Sequence, residues 1–89
     1  MKIDVYDTYA TSKNGKIIHF DVLLPSGDGK EKAVKFAKEF MEKIGESADS
    51  LKQEKCNFCH SESANDEAEK SVAEYGHFIL QMEGCPNPY

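Results

Sequence analysis

The sequence predicts an α+β domain of order ββαβαβ, with a mixed sheet of four strands and two helices in a two-layer arrangement. Three observations lead to it. Two stretches of alternating hydrophobicity flank an Asn14-Gly15 step, two later stretches repeat apolar residues at helical spacing, and a strand-like stretch follows each of these.

The first strand spans residues 2–9, with Ile3, Val5 and Tyr9 on one parity and Lys2, Asp4, Tyr6 and Thr8 on the other. Asp7 falls on the apolar parity. The second spans 16–24, where Ile18, Phe20, Val22 and Leu24 alternate with Ile17, His19, Asp21 and Leu23. Asn-Gly accepts positive φ at both positions and favours a two-residue hairpin turn. Such a turn pairs Lys13 with Lys16 and sets Tyr9 opposite Phe20, Asp7 opposite Val22 and Val5 opposite Leu24. The two apolar parities then share one face.

Residues 25–29, Pro-Ser-Gly-Asp-Gly, form a loop, and Asp28 with Glu31 has capping-box spacing for a first helix. Ala33, Val34, Ala37, Phe40, Met41 and Ile44 form its apolar face, broadened by Phe36, and Gly45 ends it. Residues 50–58 read as a polar strand carrying a bulge, because Leu51 and the Cys56/Phe58 pair lie on opposite parities. A second helix follows, capped by Ser63 or Asn65, with Ala68, Val72 and Tyr75 as its stripe and Gly76 as its stop. Residues 77–82 form the last strand. The domain is expected to span 1–85, with a C-terminal tail at 86–89. Helical connections imply that strands two, three and four are parallel. A reversal in strand order would place one helix on each face instead of both on one.

At 89 residues the chain has room for one domain. A domain of this size buries roughly 60% of the surface of its unfolded chain, so a metal, a dimer interface or a crosslink would matter to its stability. Its net charge of −5 disfavours nucleic acid and anionic membranes. No stretch approaches the roughly 20 apolar residues of a membrane span. No secretory signal opens the sequence. The odd cysteine count, Cys56, Cys59 and Cys85, then argues for reduced thiols and a cytoplasmic location.

Parallel third and fourth strands would bring Cys56, Cys59, His60 and Cys85 to one rim. Three thiolates and an imidazole complete a tetrahedral zinc set, and closed sites of this kind stabilise small domains. Cys56-x-x-Cys59 also suggests a thiol oxidoreductase, although the next helix starts too late for its dipole to activate the thiol. Covalent haem at Cys-x-x-Cys-His would require export. The plain reading makes Cys56 a buried small hydrophobe and leaves the others in loops. A second polar cluster gathers Asp7, Tyr9, His19, Asp21 and His77, with Thr8 opposite Asp21 and Ala10 opposite His19. Asp and His within reach of each other can do acid/base work or hold a metal. Asp7, on an apolar face, needs a partner or a raised pKa.

The sequence resembles a family of small bacterial proteins known as domain of unknown function 2024. The resemblance rests on Val5-Tyr6-Asp7-Thr8-Tyr9, His19-Phe20-Asp21-Val22, Cys56-Asn57-Phe58-Cys59-His60-Ser61-Glu62 and Met82-Glu83-Gly84-Cys85. It implies a standalone cytoplasmic domain in bacteria and brings no catalytic residue with it. The leading expectation is a non-enzymatic binding or structural domain, with a Cys/His zinc site as one option for its rim. The alternatives are a small thiol or acid/base enzyme, and a homodimer formed through a sheet face bearing Tyr6, Ile17 and Leu23.

Overall fold

The computed structural model describes residues 1–51 and 55–82. Strands β1 (Lys2–Thr11) and β2 (Ile17–Pro25) form a hairpin, followed by α1 (Lys30–Lys43), a 3-10 turn (Ala48–Ser50), β3 (Cys56–Ser63), α2 (Asp66–Tyr75) and β4 (Phe78–Gln81). The α+β class, the four strands, the two helices and their order are as expected.

The sheet order is β3-β1-β2-β4, and every neighbouring pair is antiparallel. The expected mixed sheet is therefore corrected. β2 and β3 do point the same way, as a helical crossover allows, but β1 lies between them. β4 pairs with β2 and runs opposite to it. The hairpin occupies the centre of the sheet, and each helix carries the chain across it to the far edge.

The hairpin register differs from expectation by one residue. Thr8 pairs with Phe20, Asp7 with Asp21 and Tyr9 with His19. The loop is a three-residue one. The Ser12 N–H donates to the Lys16 carbonyl, the Gly15 N–H donates to the Ser12 carbonyl, and Gly15 has φ 80°. This is a type I turn closed by a left-handed glycine. The Ser12 hydroxyl accepts from the N–H groups of both Asn14 and Lys16, which favours this turn over the two-residue one.

That shift changes which residues share a face. Tyr6, Ala10, Ile18, Phe20, Val22 and Leu24 pack with Ala33, Val34, Ala37, Phe40 and Met41 of α1, joined by Leu51 and Cys56. Phe20 is fully buried and its ring lies 4.6 Å from that of Phe40. Ile3, Val5 and Leu23 point the other way and pack against Ala68 and Val72 of α2. The helices therefore cover opposite faces, not one as in the expected two-layer arrangement. Both central strands are buried on both sides at one end, which is why their sequences do not alternate cleanly. Tyr6 and Leu23 are buried and face opposite ways. The exposed sheet face of Tyr6, Ile17 and Leu23 anticipated for a dimer is thus absent.

Local chemistry sets the helix ends. Asn65 caps α2 by accepting from the Ala68 N–H at 2.8 Å, and Gly76 ends it in the left-handed conformation. α1 has no side-chain cap: Gly29 occupies the N-cap position, and Asp28 instead pairs with Lys32 one turn on. β3 begins at Cys56 and not at residue 50, and the bulge anticipated between Leu51 and Cys56 is replaced by one further along. Its register shifts between Val5 and Tyr6, so that Cys59 is the extra residue between Phe58 and His60.

Candidate functional site

α2 covers one end of its sheet face and leaves the other end open. The open half carries Asp7, Tyr9, Ile17, His19 and Asp21. The three-residue hairpin loop puts Asp7 directly opposite Asp21 and Tyr9 opposite His19. His19 Nε2 lies 3.1 Å from Asp7 Oδ1 and 3.9 Å from Asp21 Oδ1. One donor atom from each of the three residues falls within 4.8 Å of the others. Tyr9 stacks on the His19 imidazole, centroids 4.2 Å apart and planes within 9°, and so fixes the ring. Asn57 faces Asp7 across the β1–β3 pair.

Asp21 is only 8% exposed, and its Oδ1 has no hydrogen-bond partner. Burial, with the Asp7 carboxyl beside it, pushes its pKa up to about 6. Asp7 moves the other way, held below the usual carboxylate range by its hydrogen bond with Asp21 and by His19. His60, when protonated, is near enough to lower both. Two carboxyls and an imidazole, one oxygen buried without a donor, can share a proton or ligate a cation.

The other anticipated residues lie elsewhere. His77 begins β4 and stacks on Phe36 of α1, centroids 4.0 Å apart. Because β4 is antiparallel to β2, its start sits beside Leu23, away from His19. The expected pairs Thr8–Asp21 and Ala10–His19 do not form, for the register reason given above. Cys56 is buried on the α1 face, where the Thr8 hydroxyl lies 3.4 Å from its sulfur and burial pushes its thiol pKa up. Cys59 and His60 are exposed. Cys56 and Cys59 therefore do not converge, and the common rim expected from parallel strands three and four is not formed by them with His60. Cys85 lies outside the described residues. Sequence reasoning missed Asn57 as a neighbour of the cluster, and it missed the direct Asp7–Asp21 pairing. The signal for the latter was Ser12, a favoured first residue of a type I turn whose fourth is Gly15.

A second carboxylate, Asp4, is structural. It accepts from the Ser26 hydroxyl and the Gly27 N–H, both at 3.0 Å, and from Ser61 of β3. These donors, Ser61 foremost, hold its pKa below the ordinary value. It ties β3 and the β2–α1 loop to β1.

An antiparallel sheet of four strands, a helix on each face and an open half bearing an Asp-His-Asp cluster describe a small α+β domain. The chain belongs to the family described as a domain of unknown function, DUF2024, whose model matches residues 1–82. It is similar to protein NE1680 from Nitrosomonas europaea, known from an NMR structure. The two are 44% identical, with a TM-score of 0.83 over 97% of this chain and 100% of that one. No curated protein matches the chain. No helix among the described residues is long and apolar enough to cross a membrane.

Proposed function

We propose that the protein is a small divalent-cation-binding domain whose protein ligands are Asp7, His19 and Asp21. The observation that carries this reading is the buried Asp21 carboxyl, with Oδ1 unpartnered and Asp7 and His19 around it. A buried carboxylate without a donor is costly, and a cation between the three groups offsets that cost. Two carboxylate oxygens and one imidazole suit a transition-metal ion of the zinc or manganese type better than calcium, which takes oxygen alone. Stacking on Tyr9 orients the His19 ring, as neighbours of a ligating imidazole do in metal sites. The two described cysteines are free thiols, in keeping with a reducing cytoplasm.

Calorimetric titration of chelator-treated full-length protein with zinc and with manganese tests the reading. One cation per chain should bind, and the melting temperature should rise with metal. Asp7→Asn and Asp21→Asn should each abolish binding, while Cys56→Ser, Cys59→Ser and Cys85→Ser should leave it intact. Metal uptake that survives both Asp variants and disappears with the cysteine variants would return the site to the thiols.

A second reading follows from the oppositely shifted carboxyls. Asp7 and Asp21 would then share one proton and act as an acid/base pair beside His19. Carbon-detected NMR titration of the metal-free protein, with Asp21 titrating near 6 and no cation taken up, would favour it.

A further inference from the structure

We infer that Cys59 is a nucleophilic thiol that exchanges with small disulfides, with His60 as its proton acceptor and Glu62 orienting that imidazole. The inference does not depend on the cation site. The β3 bulge makes Cys59 the extra residue of the strand, outside the ladder with β1. Bulges re-aim side chains and recur beside active sites. Here the bulge sets Cys59 Sγ 3.2 Å from His60 Nδ1, while His60 Nε2 lies 3.1 Å from Glu62 Oε2. Thiol, imidazole and carboxylate thus stand in the order of nucleophile, base and orienting group. All three are reachable: the His60 and Glu62 side chains are 51% and 49% exposed, and Cys59 is exposed. The imidazolium formed when His60 takes the thiol proton faces Glu62, and the Asp7 and Asp21 carboxyls lie within electrostatic reach.

The neighbouring cysteine does not resolve the product. Cys56 lies three residues back along the same strand, a span of about 10 Å in extended chain. Bridged cysteines need Cα atoms within about 7 Å. Cys56 is also buried among residues that pack with α1. The exchange is therefore with an external partner. Cys59 passes its proton to His60, and its sulfur attacks one sulfur of a disulfide such as oxidised glutathione. The Cys59–glutathione S–S bond forms as the original S–S bond breaks. The departing glutathione thiolate takes the proton from His60, giving one mixed disulfide and one free thiol. A second external thiol reverses the step.

Site-resolved peptide mass spectrometry after timed incubation of the full-length native protein with oxidised glutathione at pH 7 tests this. Cys59 should be thiolated about a hundredfold or more faster than in His60→Gln, the lower end of what a positioned base contributes. Cys56 should stay unmodified in the folded protein. Glu62→Gln should fall between native and His60→Gln. All three proteins should show the same circular dichroism, since the substitutions lie on an exposed strand. Equal Cys59 rates in native and His60→Gln protein would overturn the inference, as would a Cys59 rate no greater than that of a small unstructured peptide thiol.

Discussion

Asp21 and Asp4 are both buried carboxyls at the edge of a core, and they differ in what surrounds them. Three donors converge on Asp4, whereas Asp21 meets a second carboxyl and an imidazole and leaves one oxygen without a donor. Opposite consequences follow. In metal-free protein at neutral pH, Asp21→Asn should raise stability by about 1–2 kcal/mol, because it removes an uncompensated buried charge beside Asp7. Urea unfolding in the presence of chelator measures this; a loss of stability would show that the Asp21 carboxylate is already well satisfied. Asp4→Asn should cost about 1–3 kcal/mol, since an amide offers one acceptor oxygen where three donors converge. Asp4 also predicts a pH dependence. Its folded pKa lies below 3.8, so its contribution is fully present above that value and is lost as pH falls through the folded value. The stability gap between native and Asp4→Asn should therefore be constant near neutrality and close in acid, which denaturant titrations between pH 6 and about pH 2 would reveal.

The elements show which local signals were readable. Gly76 and Asn65 mark the ends of α2 in the sequence, and both act there as local chemistry requires. Replacing Asn65 with Ala should destabilise the domain by about 1 kcal/mol, whereas Ser63→Ala should change little. Chemical unfolding of the two variants separates the two capping candidates that the sequence offered. At α1 the capping-box spacing of Asp28 and Glu31 was misleading, because Gly29 takes the cap position and Asp28 reaches Lys32. The hairpin was legible as a hairpin, and its loop length was not. Asn-Gly suits two turn geometries, and a serine hydroxyl two residues upstream supports the longer one through two backbone N–H groups. A one-residue difference in register turns Asp7 from a neighbour of Val22 into a neighbour of Asp21.

At the scale of the molecule, two separate cores flank one sheet. The α1 side is the larger and contains Phe20, so Phe20→Ala should cost about 3–5 kcal/mol. Against a total of roughly 5–15 kcal/mol for a small domain, that brings the protein near its unfolding threshold. Thermal melting with and without saturating zinc would show whether cation binding restores the variant, and the proposed site predicts that it does. The α2 side is smaller, and the uncovered remainder of that face is where Asp7 and His19 reach solvent beside the buried Asp21. The polar cluster is thus a consequence of a short helix spanning only one end of the sheet.

From the chain alone followed the α+β class, the order of elements, the hairpin and the family. These depend on periodicity, turn residues and short motifs, which are local. Strand order, strand direction and the face each helix covers depended on contacts between residues far apart in sequence. The antiparallel placement of β3 and β4 on the two outer edges, with β1 and β2 between them, sent His77 away from His19. Within β3, Cys56 is buried in the α1-side core while Cys59, at the bulge, is exposed. The same packing brought Asp7, His19 and Asp21 together, because burying both central strands on both faces favours the register in which each face keeps its own apolar end. Local patterning states which side chains alternate; only the assembled sheet decides which of them meet.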